Sequence, residues 1–188
     1  FKGQSLLKAT YLRLAWSYIL DGDQAQAAKM MQSVIQRGKS VNETDKAALK
    51  QAENNPVPNG ILLRARLEFD GGYYNQAKQT IEKYKLTNST EENMEFFYRR
   101  GRVLDKLGNF KEALFNYQEA LNRGLKSKSY FSCSAGLYIG IIYENKKEYA
   151  LAQKYFNICL DIDPDEYADS LHQKASSGLQ RIKSLIKN

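Results

Sequence analysis

The chain has 188 residues with 28 Lys+Arg against 21 Asp+Glu, a net charge of +7, and only three prolines, two cysteines and one histidine. That length buries a real core, and 43% hydrophobic with 26% charged residues is the composition of a folded globular chain rather than a disordered one. Two cysteines exclude a disulfide scaffold and a four-cysteine zinc site, one histidine leaves little for imidazole chemistry, and no apolar window is long enough to span a membrane.

The chain begins Phe1-Lys2-Gly3, without an initiator Met or a signal pattern, and reads as a fragment of a longer protein. The compartment is unknown, with cytoplasm and periplasm both open. Prolines at Pro56, Pro58 and Pro164 leave two long stretches free for helices.

Four pairs of small residues, each twelve apart, punctuate those stretches: Ala15/Ala27, Ala65/Ala77, Gly101/Ala113 and Gly140/Ala152. The turn signals between them are Asp21-Gly22-Asp23, Asp70-Gly71-Gly72-Tyr73-Tyr74, Leu107-Gly108-Asn109-Phe110 and Asn145-Lys146-Lys147-Glu148-Tyr149. Around the first turn, Tyr11, Leu14, Tyr18, Met31, Val34 and Ile35 recur at helical spacing. Around the third, Phe97, Leu104, Leu114, Tyr117, Ala120 and Leu121 do the same. The fourth is flanked by Ile139, Ile142, Tyr143, Leu151, Tyr155, Phe156, Cys159 and Leu160. Two antiparallel helices approach closely where small residues face each other, so each pair is expected to form the contact within a hairpin. Tyr74, Phe110 and Tyr149 are expected to fill space between hairpins.

Residues 38–60 read as an insertion. Ser40-Val41-Asn42-Glu43 fits a capping box ahead of a short helix at about 43–53, and Asn54-Asn55-Pro56-Val57-Pro58 breaks the chain. Ser89-Thr90-Glu91-Glu92 is a second capping box, and Lys126-Ser127-Lys128-Ser129 a polar connector. After Pro164, with Asp163 as the cap, a last helix from Asp165 to about Lys187 carries Leu171, Ala175, Leu179, Ile182 and Ile186 on one stripe and covers the final hairpin.

The pattern resembles the tetratricopeptide repeat, on Gly101, Gly108, Phe110, Ala113, Tyr117 and Ala120, and on Gly140, Tyr143, Tyr149, Ala152, Phe156, Cys159 and Pro164. The first copy follows through Ala15, Tyr18, Gly22, Ala27 and Met31; the second departs at Glu68. Successive small residues are separated by 50, 36 and 39 positions, against about 34 for the family. The long connections and the Phe-Asp-Gly-Gly-Tyr-Tyr turn also resemble repeat proteins of Bacteroidetes bacteria. The resemblance implies an all-α, right-handed superhelical array of antiparallel hairpins in a single domain, 1–188. The hairpins are expected at about 5–37, 60–86, 90–124 and 130–162, with a capping helix at 165–187.

The resemblance also implies a concave groove lined by the first helix of each pair. Carried over copy by copy, the groove-facing residues are Leu12, Trp16 and Ile19; Leu62, Arg66 and Phe69; Tyr98, Arg102 and Asp105; and Leu137, Ile141 and Glu144. This is a stripe expected to face solvent, apolar near Trp16 and charged near Arg66 and Arg102. An equal reading has Leu12, Trp16 and Ile19 buried against a preceding hairpin. The clamp residues with which some family members hold peptide C-termini do not align. The function implied is a non-catalytic scaffold binding a protein or peptide, acidic if Arg66 and Arg102 receive it. The alternatives are a basic helical repeat that binds nucleic acid, or a self-association module. Positive charge is scattered rather than clustered, which makes nucleic acid the weaker fit.

No phosphate loop, nucleophile elbow or metal helix motif is present, and no catalytic residue, cofactor or metal is expected. Asp161-Ile162-Asp163-Pro164-Asp165 lacks the Gly and Glu of a calcium loop. His172 reads as an ordinary surface or interface residue. Cys133 and Cys159 read as free thiols at facing ends of one hairpin, close enough for a disulfide to be sterically conceivable.

Overall fold

A computed structural model describes residues 5–54 and 57–186, with the side chain of Ile186 excepted. The expectations placed on Phe1-Lys2-Gly3, Asn55, Pro56 and Lys187, and on the Ile186 side chain, lie outside the described residues. Among the described residues the secondary structure is wholly helical: α1 Leu7–Asp21, α2 Gln24–Gln36, α3 Glu43–Asn54, α4 Gly60–Asp70, α5 Tyr74–Ile81, α6 Thr90–Lys106, α7 Phe110–Gly124, α8 Tyr130–Asn145, α9 Tyr149–Asp161 and α10 Ala168–Ile186. The chain divides into two compact units, residues 1–67 and 68–188, with the boundary inside α4.

One turn geometry recurs four times. Gly22, Gly72, Gly108 and Lys147 follow the small residue of the first helix by seven positions, and all lie in the left-handed region, at φ 85°, 81°, 78° and 62°. In each copy the next residue donates its N–H to the carbonyl five positions back: Asp23 to Tyr18, Tyr73 to Glu68, Asn109 to Leu104 and Glu148 to Tyr143, at 2.8–2.9 Å. This is the Schellman closure that satisfies the last carbonyls of a helix. Glycine adopts it without strain; Lys147 adopts it with a side chain.

The small residues act differently from expectation. A Cβ on Gly101 would stand 2.7 Å from the Tyr117 ring, and one on Gly140 would stand 2.6 Å from the Phe156 ring. The first-helix glycine therefore receives the aromatic four residues beyond the partner Ala, and the ring fills the space that its missing side chain leaves. In the first hairpin the corresponding pair is Ala15 with Met31, in one core with Leu12 and Val34.

In the unit of residues 1–67, the buried face of α1 is Lys8, Ala9, Leu12, Ala15 and Ile19. Leu14, expected on that face, is exposed, and so is Ile35 on α2. The reason is α3, which lays Ala48 and Ala52 against Ala9 and Leu12 and selects that side of the helix. Its cap is Asn42, not Ser40: the Asn42 Oδ1 accepts the Asp45 N–H at 2.8 Å. Asp45, fully buried, caps α1 from 36 to 39 residues away, accepting the Leu6 N–H at 2.7 Å and the Ala9 N–H at 3.1 Å. Burial alone would raise its carboxyl pKa, but those N–H groups and the Asn42 amide outweigh it and hold the group below its ordinary 3.8. At the same, open end of the hairpin, buried Lys8 donates Nζ to the Val34 and Ile35 carbonyls at 2.6 and 3.1 Å. Carboxylate at one helix start and ammonium at another helix end each complement the local dipole.

In the unit of residues 68–188, α6 through α10 share one core running from Met94 and Phe97 to Ala175 and Ile182. Ser89 caps α6, accepting the Glu92 N–H at 3.2 Å. Tyr149 packs on this core and Tyr74 lies 5.2 Å from Phe69, but Phe110 is exposed, because its ring points off the outer face of α7. Between α7 and α8 the filler is instead the stacked pair Tyr117 and Tyr138, with centroids 5.5 Å apart. Leu151 likewise faces out.

Helix α10 starts at Ala168 rather than Asp165. The intervening residues are held against the connector before α8: Asp165 donates its N–H to the Lys128 carbonyl at 2.9 Å, and Tyr167, at φ 62°, sets its ring edge-on to Tyr130. The buried stripe of α10 includes Gly178, where a Cβ would meet the Phe156 ring at 2.5 Å. Phe156 is thus held between two glycine notches, one on α8 and one on α10.

Candidate functional site

The residues expected to line a groove divide by burial. Leu12, Ile19, Leu62, Phe69, Tyr98 and Leu137 are buried, so they do not face solvent. Trp16, Arg66, Arg102, Asp105, Ile141 and Glu144 are half-buried. The three positions carried over from each copy are therefore not equivalent: the residue three before the small one is core in all four copies.

In the first unit, Leu12 is covered by α3 and Ile19 by Ala27 and Leu63, so the chain itself supplies what a preceding hairpin was expected to supply. Trp16 packs against both clusters, and the Arg66 guanidinium lies 5.3 Å from its ring centroid. Among the described residues the buried indole N–H of Trp16 has no hydrogen-bond partner.

In the second unit, the centre is Arg102 on α6. Its guanidinium stacks 4.1 Å above Phe69 and lies 5.8 and 6.0 Å from the Tyr98 and Tyr138 rings. Phe69 is fixed by Val103 and Tyr74, and Tyr98 by Tyr117, Tyr130, Phe131 and Tyr138. Arg102 is positioned by rings alone: among the described residues its N–H groups carry no hydrogen bond or ion pair. Its neighbours on α6 are committed. Arg99 pairs with Glu95 at 2.6 Å, and Arg100 donates to the Asn116 side chain at 3.2 Å.

Asp105, one turn further along, accepts from the Tyr117 hydroxyl at 3.4 Å. Burial pushes its carboxyl above the ordinary range, against the pull of Tyr117 and of the Lys106 and Arg102 charges. Burial also raises the Tyr98 hydroxyl well above its usual range, so it stays protonated beside the guanidinium.

The α8 end of the stripe is occupied from within. Arg181 of α10 grips Glu144 with two hydrogen bonds, at 2.7 and 2.8 Å, and Ile141 packs on the core. His172 has a definite place: its Nε2 lies 2.8 Å from the Ile162 carbonyl at the end of α9. Sequence reasoning missed Tyr138, which completes the aromatic surround of Arg102. Its only trace was an aromatic one residue before Ile139. Among the described residues no group of three or more His, Cys, Asp and Glu is arranged to hold a metal ion, and no helix is long and apolar enough to cross a membrane.

An all-helical chain with four hairpins closed by the same turn is a helical-repeat protein. Tetratricopeptide-repeat family models match residues 9–37, 94–123 and 139–166, which lie in the first, third and fourth hairpins, so the chain carries tetratricopeptide repeats there. The second hairpin, with its irregular Glu68, is not among the matched stretches. The chain matches no curated protein and no solved structure. Tetratricopeptide repeats generally mediate protein–protein interaction and scaffolding, and proteins built of them are typically non-catalytic.

Proposed function

We propose that the unit of residues 68–188 binds a protein partner through a carboxylate received by Arg102, either an acidic side chain or a chain terminus. The observation that carries this is a half-buried guanidinium stacked at 4.1 Å on Phe69 with its hydrogen-bond donors uncommitted. A guanidinium held flat by aromatic rings keeps its fork in the plane that a carboxylate meets with two parallel hydrogen bonds. Phe69 and Tyr98 keep it there at little entropic cost, since their own rotamers are locked by packing. In the unit of residues 1–67, Trp16 with Arg66 forms a separate contact surface of the same two residue types, the types enriched at binding hot spots.

An array of acidic, neutral and basic peptides, probed with the 188-residue chain, tests the reading. Acidic peptides should be retained, and Arg102→Ala should weaken them by about 1.5–3 kcal/mol, roughly tenfold or more. Phe69→Ala should weaken them less, by loosening the guanidinium. Equal retention of neutral and acidic peptides, or binding indifferent to Arg102→Ala, would sink it. Binding to generic DNA or RNA that fades steeply with salt would favour a basic nucleic-acid surface instead.

A further inference from the structure

Two thiols that the proposed contact does not use meet at the open end of the last hairpin, away from its turn. Cys133 lies in the first turn of α8 and Cys159 in the last turn of α9, and their Sγ atoms are 3.3 Å apart. Neither has any exposed surface. The helix axes themselves bring them together. At Gly136, one turn beyond Cys133, a Cβ would lie 3.6 Å from the Cys159 nitrogen and 3.7 Å from its Cα. A disulfide of about 2.0 Å therefore needs the sulfurs to close by little more than 1 Å, within reach of side-chain rotation.

The two sulfurs are not alike. The Cys133 thiol is drawn below its ordinary range by a hydrogen bond from Cys159 and, after that, by the His172 imidazole; the same hydrogen bond and burial push Cys159 up. Of the two, Cys133 gives up its proton more readily, and thiolate is the nucleophile. His172 is held over the pair by its contact with the Ile162 carbonyl. With no third ligand grouped for a metal among the described residues, the pair is not read as a metal site.

We propose that Cys133 and Cys159 are a peroxide-oxidisable dithiol that closes to an intramolecular disulfide across the ends of α8 and α9. The oxidant is hydrogen peroxide, small enough to reach a fully buried pair on local opening of the hairpin end, where glutathione disulfide or a partner protein's disulfide is too large. The Cys133 thiolate attacks one peroxide oxygen, the O–O bond breaks, and the departing hydroxide takes a proton and leaves as water. Cys133 is then a sulfenic acid. The Cys159 sulfur attacks the Cys133 sulfur, the S–S bond forms and the S–O bond breaks. The hydroxide leaves with the Cys159 proton as a second water. Two thiols and one peroxide give one disulfide and two waters. The product clips the last repeat beneath α10, leaving Arg102 untouched.

The test exposes the reduced 188-residue chain to hydrogen peroxide, removes the peroxide with catalase, unfolds the chain and alkylates it. Mass and non-reducing peptide mapping follow. The expected product is a monomer lighter by two hydrogens and unalkylated at both cysteines. It should yield a linked Cys133–Cys159 peptide, revert with dithiothreitol, and melt several degrees higher than the reduced chain. Cys159→Ser should stop at a Cys133 sulfenic acid that dimedone traps. His172→Gln should slow closure without changing the end point. The proposal falls if both cysteines are still alkylated under conditions that oxidise the half-buried Met30. It falls equally if Cys133 goes to sulfinic acid without a cross-link, or if the only disulfide joins two chains. Should Cys159→Ser fail to fold by circular dichroism, the wild-type peptide map decides alone.

Discussion

The first hairpin and the last two solve one packing problem with different chemistry. In α1/α2 Ala15 and Met31 share the inner core, and the open end is sealed by charge: Asp45 at the start of α1 and Lys8 at the end of α2. In α6/α7 and α8/α9 the inner contact is a ring in a glycine notch, Tyr117 at Gly101 and Phe156 at Gly140. Size is conserved across the pair rather than at either position. A flexible thioether beside a methyl group occupies the place that a rigid ring takes beside a bare backbone. The first hairpin is specified more by its buried polar end, the later ones by shape.

That contrast can be broken at several points. The largest effect is expected from Phe156→Ala, which empties a site lined by Gly140 and Gly178 that has no side chains with which to collapse. It should cost about 3–5 kcal/mol by denaturant unfolding. Asp45→Ala should follow at about 2–4 kcal/mol, since it leaves the buried Leu6 and Ala9 N–H groups unpaired. The sign of its pH dependence is fixed by the lowered pKa. The stabilisation is present above about 3.8 and is lost as pH falls through the folded-state value, so the wild type should lose stability there and Asp45→Asn should lose less. A melting series from pH 6 to pH 2 measures this.

Gly101→Ala sharpens the comparison. Helix propensity favours the change by about 1 kcal/mol, but a Cβ against the Tyr117 ring costs about 1–3 kcal/mol, so net destabilisation is expected. Adding Tyr117→Met converts the pair to the chemistry of the first hairpin. The double variant should be more stable than the sum of the single changes predicts, a coupling of about 0.5–3 kcal/mol in a double-mutant cycle. An additive result would mean that the glycine and the ring are independent. The smallest effect expected is Lys147→Gly. It gives the fourth turn the residue that the other three have, and should stabilise by about 1 kcal/mol in thermal melts.

Much of this was legible in the chain. The twelve-residue pairs located all four turns, and Ser89 was read correctly as a cap, because turn chemistry and helical period are local. The faces of α6 through α9 were largely legible too, where apolar residues repeat, with Phe110 and Leu151 the exceptions that turn outward. The face of α1 was misread because Leu14 is as apolar as Leu12, and only the docking of α3 makes one of them core. The cap of α3 slid from Ser40 to Asn42 for a related reason. Ser, Asn and Asp are all good caps, and the tertiary use of Asp45 at α1 sets the register. In the candidate site, Arg102 was named from its repeat position. Six of its eleven companions proved buried, since a position counted from a repeat carries no information about what the next element covers. Tyr138 was missed because it reaches Arg102 from another helix.

The sequence by itself determined the all-helical class, the four turns and the repeat pattern, since these rest on spacing along one chain and on glycine's freedom at positive φ. Tertiary structure alone decided which side of α1 is core and that α10 occupies Glu144. It also decided that two distant thiols touch, and that Arg102 keeps its donors open among the described residues. Each of those depends on an approach between helices, and no pattern along the chain records which side chain another helix will cover.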